Sequence, residues 1–390
     1  MAGKQKRKRL VGTIGALGFF LALVAPSRGD KPQVEIEVPF EPTPPQVVAD
    51  MLKLANVAES DVVYDLGCGD GRIVITAAKT CKARGFGVDL DAQRIEECKE
   101  NAKIAGVADR LHFQVGDIMK ADISPATVVT LYLLDEVNLM LRPKLFRELQ
   151  PGTRIVSHAF HMADWKSDKA EHPPKARNDV IYLWIIPAPV GGAWQWTSKT
   201  DAGDAKYRLE LTQQFQVVQG QLVLPDSKTA KITDAAVSGR EFAFTATVPD
   251  GKRQVNVTFK GTVEGDTITG TQRAGGSKAG AQPWAAKREP VEIAGGWRIA
   301  TQANPQALDG VLRLEKKGAA LNASYVADKD KKEVALPGFS SWGTSVYFDI
   351  PAGEERGPVF SGSLTGDTGA GKIKIEDREE KATWTAQRVK

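Results

Sequence analysis

From residue 46 to residue 186 the apolar positions alternate between two periods. The segments QVVADMLKLA (46–55), 72–82, 92–105 and 138–149 place apolar residues three and four apart, the signature of a helix with one buried face. Between them lie short apolar runs at 62–66, 85–90, 112–115, 128–133, 154–159 and 180–186, which read as strands. Strands alternating with helices predict a mostly parallel twisted sheet with helices on both faces. From residue 191 onward the helical period is lost. Short stretches such as LELTQQF, FAFTATV and NVTFKGTV, separated by Gly-Asp and Asp-Gly turns, predict antiparallel strands in a barrel or sandwich.

The second half also repeats itself. GGAWQW (191–196) is echoed by GGWRIA (295–300), and YRLELTQ (207–213) by VLRLEKK (311–317). FKGTVEGDTITG (259–270) is echoed by FSGSLTGDTGAG (360–371), and PWAAKRE (283–289) by TWTAQRV (383–389). Four matches in one order, each about 100 residues apart, predict two copies of a small all-β unit, each opened and closed by a Trp-bearing strand. The chain therefore divides into a leader (1–30), an extended linker (31–45), an α/β domain (46–189) and two all-β repeats (190–290 and 291–390).

Charge changes the picture mainly at the N-terminus. The formal net charge of +4 comes from the leader, where Lys4, Lys6, Arg7, Lys8, Arg9 and Arg28 stand against one acid, Asp30. Without it the chain is close to neutral, so a broad nucleic-acid surface is not expected. The cationic stretch precedes a 16-residue uncharged run, 10–25, which is short for a membrane span and suits a signal peptide or an anchor. Both options place the body in a bacterial cell envelope, with membrane association through the leader; a location on the cytoplasmic face stays open. A disordered basic tail is the remaining alternative. Cys68, Cys81 and Cys98 have the spacing of neither a zinc site nor a disulfide framework, and read as buried or half-buried free thiols.

The chemistry concentrates at strand ends. In VVYDLGCGDGR (62–72) an apolar run delivers Asp65, then Gly67, Cys68, Gly69 and Gly71, and a helix follows. Glycines let the backbone turn sharply and approach a ligand, and the helix start supplies free N–H groups. A dinucleotide fingerprint would need glycine at position 72, where Arg72 stands. Glycine at every second position after an acid instead resembles motif I of the class I (seven-β-strand, Rossmann-like) methyltransferases that use S-adenosylmethionine (SAM). Asp89, closing the second strand, is placed to accept hydrogen bonds from ribose hydroxyls. The resemblance implies that Asp117 meets the adenine amino group, with Ile118 against the ring.

FEPTPPQVVADMLKLANV, followed by VVYDLGCGDGRIVITAA, resembles more closely the protein-lysine methyltransferases that include the enzymes acting on mitochondrial inner-membrane proteins. That likeness implies that the pre-motif FEPT (40–43) folds over the cofactor. Thr43 becomes either a cofactor contact or a cap of the following helix. It also implies a protein lysine as methyl acceptor, with a small molecule as the alternative. The acceptor is expected near YLLDEVN (132–138), where Asp135 and Glu136 either attract an ammonium or cap the next helix. His158 and His161 are candidates for a proton acceptor or for structural roles. No metal is expected. The six Trp residues of the β half either plug the cores of the repeats or line a pocket for an envelope ligand. If SAM does not reach the envelope, the alternative is an exported, non-catalytic binding protein with a relic SAM fold.

Overall fold

The computed structural model describes residues 40–389 apart from 175–178, 201–202, 251–252, 277–279, 303–307, 318–319, 352–356 and 375–381. The leader and linker residues 31–39 lie outside the described residues. The α/β part contains β1 (Val62–Leu66), β2 (Arg84–Asp89), β3 (Leu111–Val115), β4 (Val128–Leu131), β5 (Arg154–His158), β6 (Lys169–Glu171) and β7 (Ile181–Ile185). Its helices are α1 (Pro45–Leu54), α2 (Arg72–Cys81), α3 (Ala92–Ile104) and α4 (Asp135–Glu148). The strands form one sheet in the order β3-β2-β1-β4-β5-β7-β6. The first five are parallel, and β7 enters antiparallel to β5.

The order explains the apolar runs. β1 and β4 lie at the centre with helices on both faces, so both sides of each strand are buried and the sequence loses its alternation. Between β1 and β4 the chain order reverses, which opens a crevice at the C-terminal ends of the strands where α/β folds bind ligands. Two differences from the sequence reading have local causes. Helix α4 begins at Asp135 rather than near residue 138, because Asp135 and Glu136 in the first turn favour the positive end of the helix. Strand β6 has no counterpart in that reading: its three residues are all exposed, so it has no apolar period to read.

The first repeat is a closed antiparallel barrel. Its strands are β8 (Gly192–Thr200), β9 (Gly203–Gln214), β10 (Val217–Val223), β11 (Thr229–Ser238), β12 (Glu241–Asp250), β13 (Arg253–Glu264), β14 (Thr267–Ala274) and β15 (Gln282–Arg288). The second comprises β16 (Gly295–Gln302), β17 (Gly310–Lys317), β18 (Ala320–Ala327), β19 (Glu333–Ala335), β20 (Ser340–Trp342), β21 (Ser345–Asp349), β22 (Val359–Thr365), β23 (Thr368–Lys374) and β24 (Ala382–Val389). It has one strand more because the counterpart of β11 is broken. In the first repeat β11 pairs with β10 and β12 across a register shift near Asp234, which has φ +53°. In the second, Pro337 and Gly338 interrupt the same place, so among the described residues β19 pairs with β18 alone and β20 with β21 alone.

The repetition extends to side chains. Trp194 and Trp297 each donate the indole N–H to the carbonyl four residues earlier, Val190 and Ile293, at 2.8 Å in both. Arg288 covers the Trp194 ring at 4.2 Å and Arg388 covers the Trp297 ring at 4.4 Å. Each arginine also pairs with the aspartate of its Gly-Asp turn, Asp266 or Asp367. All six Trp residues of the β half are buried.

The β half is not merely tethered to the α/β part. Phe146 and Trp165 of the α/β part form one aromatic cluster with Phe215 after β9, and with Trp342 and Tyr347 of the second repeat. Inside it the Arg142 guanidinium from α4 donates to the Tyr347 hydroxyl at 2.7 Å and pairs with Asp164 at 2.7 Å.

Candidate functional site

At the end of β1 the chain turns through three left-handed glycines, Gly67 (φ +81°), Gly69 (φ +52°) and Gly71 (φ +79°), and α2 starts at once. A Cβ at Gly67 would sit 2.9 Å from Leu133, and one at Gly69 would sit 2.5 Å from the Phe40 ring. At Gly71 it would meet Cys98 Sγ at 2.9 Å. The loop is thus a cradle between β4, the pre-motif and α3 that side chains would fill. Cys68 is buried beneath it, its Sγ 3.8 Å from Cys98 Sγ, and the Cys98 thiol donates to the Gly69 carbonyl at 3.1 Å. The neighbouring thiol and burial push Cys68 up, away from the thiolate. As expected, Cys68 and Cys98 are buried free thiols and Cys81 a half-buried one.

The acids take different positions. Asp65 is 3% exposed and accepts from the Thr130 hydroxyl at 2.7 Å. Burial, then the charges of Asp89 and Asp70, outweigh that bond and raise its carboxyl to about 7. Asp89 is half-buried at the end of β2 and accepts from the Gly69 N–H at 2.9 Å and the Asp91 N–H at 3.0 Å. Its carboxylate therefore ties the glycine loop to the start of α3 while facing the crevice edge. Asp117, after β3, accepts from the Met119 N–H at 2.8 Å and lies 3.4 Å from Lys120, with half-buried Ile118 beside it. The strand ends thus bring Asp65, Asp89 and Asp117 to one rim.

The pre-motif closes that rim from above. Phe40 packs on Gly69, and the Arg94 guanidinium lies 4.2 Å from its ring centroid. Arg72 donates to the Thr43 carbonyl at 2.9 Å and pairs with Asp70 at 2.6 Å. Thr43 does not cap α1: the N-cap is Pro44, and the buried Thr43 hydroxyl instead contacts His158 Nδ1 at 3.3 Å. His158 is 2% exposed and lies under the Tyr132 ring at 4.0 Å. Burial lowers its pKa against the pull of Asp179, keeping the imidazole neutral.

At the start of α4, Asp135 accepts from the His161 N–H at 2.7 Å and lies 3.1 Å from His161 Nδ1, while Glu136 is exposed. His161 is at the surface, and among the described residues no group of His, Cys, Asp and Glu is arranged to hold a metal ion. Sequence reasoning named Tyr132 only as the start of YLLDEVN and did not place its ring against His158.

A seven-stranded sheet with a glycine cradle at its switch point, and acids ending the next two strands, defines a class I SAM-dependent methyltransferase. Residues 65–169 match the family described as the ANTKMT methyltransferase domain. The protein-lysine N-methyltransferase of Saccharolobus islandicus is 46% identical over 151 residues, covering 38% of this chain and 94% of that protein. By that relation the chain belongs to the protein-lysine N-methyltransferase family. A human lysine N-methyltransferase named for an ATP synthase component is 30% identical over 134 residues, covering 34% of this chain and 55% of its own. A Salinibacter ruber structure described as an RNA methyltransferase with S-adenosyl-L-homocysteine is 53% identical, covers 37% of this chain and 93% of its own, and has a TM-score of 0.36.

Proposed function

We propose that this protein transfers the methyl group of SAM to lysine side chains of a protein acceptor. The observation that carries the reading is the pre-motif and glycine cradle closed on each other, in a chain that spans 94% of a protein-lysine N-methyltransferase. When bound, SAM supplies a sulfonium methyl carbon: the acceptor nitrogen pair forms the new N–C bond as the C–S bonding pair leaves with sulfur. The protein supplies position and desolvation. Gly67, Cys68, Gly69 and Gly71 offer backbone to the methionine and ribose portions, with Asp65 beneath them. Asp89 takes the ribose hydroxyls, and Asp117 and Ile118 take the adenine. Thr43, held by His158, keeps the pre-motif over the methionine end. His158 is a positioning residue in this reading, because burial and neutrality suit it to fixing Thr43 and Tyr132. Asp135 and Glu136 add negative charge where a lysine approaches.

The test is transfer of an isotopically labelled methyl group to proteins of the source cell, followed by mass spectrometry of the modified residues. Label on lysine is the expected result. Label confined to a small molecule would establish the alternative acceptor, and no label with SAM bound would favour the non-catalytic reading. The leader motivates the further proposal that the protein works at the cell envelope, exported or anchored. Among the described residues no helix is long and apolar enough to cross a membrane. Fractionation of cells expressing the full chain separates an envelope location from a soluble one.

A further inference from the structure

The first barrel is closed by a strand that is paired on both sides: Ala236 of β11 lies opposite Val217 of β10 and Ala243 of β12. In the second repeat the corresponding chain is divided. β19 pairs with β18 through residues 333–335, and β20 pairs with β21 through residues 340–342. The last bond to β18 on this side runs from the Leu336 N–H to the Ala323 carbonyl at 2.9 Å. Backbone groups alternate sides along a strand, so Leu321, two residues before Ala323, turns its N–H and C=O the same way. Among the described residues no strand lies opposite it there, and none lies on the free side of β20. A cavity of about 670 Å³ lies in the gap, lined by residues 321–323 and 340–342. Its far wall comes from α4, the turn after it and the segment after β7. There Pro143, Phe146, Pro151, Pro187 and Pro189 present apolar surface and, at the prolines, no N–H.

We propose that this gap receives an extended peptide segment, which adds as a strand beside β20 and completes the second barrel. Its backbone amides meet the free strand edges, and alternate side chains enter the cavity. A polypeptide presents donors and acceptors at strand spacing, whereas an acyl chain or a glycan does not. The sister repeat shows the same fit within one chain, because its own β11 occupies the corresponding place. The edges are also unguarded. Exposed edges are ordinarily blunted by charge or proline, yet residues 321–323 (Leu-Asn-Ala) and 340–342 (Ser-Ser-Trp) carry neither. The cavity at the corresponding place in the first repeat, about 960 Å³, lies over a different wall. That wall is held at both ends, by the pairs Val217–Ala236 and Gln221–Lys231. The docked strand gives the β half a binding role separate from the SAM site and independent of the methyl acceptor.

The test uses the full chain and a panel of fluorescein-labelled hexapeptides in which threonine alternates with valine, leucine or phenylalanine. Fluorescence anisotropy should show saturable binding of at least one of them. Methylating its alternate amide nitrogens, in one of the two possible registers, should weaken binding at least roughly tenfold, because main-chain bonds are lost while the side chains stay. Ala335 is exposed and lines the cavity, so Ala335→Trp fills the space. It should weaken binding by a similar factor with the melting temperature unchanged. Gln219→Trp, at the cavity of the first repeat, should bind as the wild type does. No peptide binding more tightly than about 1 mM would overturn the proposal. So would wild-type affinity in Ala335→Trp, or equal affinity for the unmethylated peptide and both methylated forms, which marks a merely apolar contact. Sedimentation showing a dimer that Ala335→Trp dissociates would assign the edge to a second copy and overturn it as well.

Discussion

Gly69 carries two constraints at once: a left-handed backbone and a phenyl ring in the space of its missing side chain. Gly69→Ala is expected to cost about 1 kcal/mol of stability from backbone strain. It should weaken SAM binding by at least roughly tenfold, because Phe40 must move off the loop. Isothermal titration and thermal melts separate the two effects. Asp65 makes a pH prediction. Its carboxyl is raised from 3.8 to about 7, so between those values the folded chain keeps a proton that the unfolded chain has released. The stability that this protonated form contributes is full at low pH and is lost as pH rises through about 7. Asp65→Asn, which stays neutral, should therefore melt higher than the wild type at pH 8, by up to roughly 4 kcal/mol in stability, and converge with it only below about pH 4. Equal melting of the two proteins across that range would show that Asp65 is ionised in the fold.

The two halves of the chain were unequally legible in the sequence. The central strands and helices of the α/β part could be placed within a few residues because each buries a face and so writes its period into the chain. β6 could not, since its exposed Lys169, Ala170 and Glu171 answer to the pairing with β7 alone. Asp89 was legible as a strand-end acid, but not its hydrogen bonds to the Asp91 N–H two residues on and to the Gly69 N–H 20 residues back. The repeats were legible through their Trp, Arg and Gly-Asp positions, because those residues build the same clip twice. The break at Pro337 and Gly338 was passed over, although the two residues stand in the sequence as a strand breaker. Equivalence of the clips has a consequence: Arg288→Ala and Arg388→Ala each remove a guanidinium from an indole face and from backbone carbonyls, two for Arg288 and three for Arg388. Each should destabilise its own repeat by about 2–3 kcal/mol. Hydrogen exchange should localise the loss to β8 and β15 in one variant and to β16 and β24 in the other.

Across the whole molecule, the β repeats act as a foundation for the α/β part. Trp165 and Trp184 are almost wholly buried, in a cluster that also takes in Phe215, Trp342 and Tyr347. Arg142 joins α4, which begins at Asp135, to Tyr347 of the second repeat. Tyr347→Phe removes a hydroxyl that accepts from Arg142 and donates to Asp164, and should cost about 1–3 kcal/mol by urea denaturation. The central claim remains that the glycine cradle and the strand-end acids hold SAM in this chain. Calorimetric titration of SAM into the wild type and into Asp89→Ala, which loses the acceptor for the Gly69 and Asp91 N–H groups, tests it most directly. Saturable one-to-one binding by the wild type, weakened at least roughly tenfold in the variant at a temperature where it remains folded, is the predicted result. Absence of heat from the folded wild type, or equal affinity in the two proteins, would contradict it.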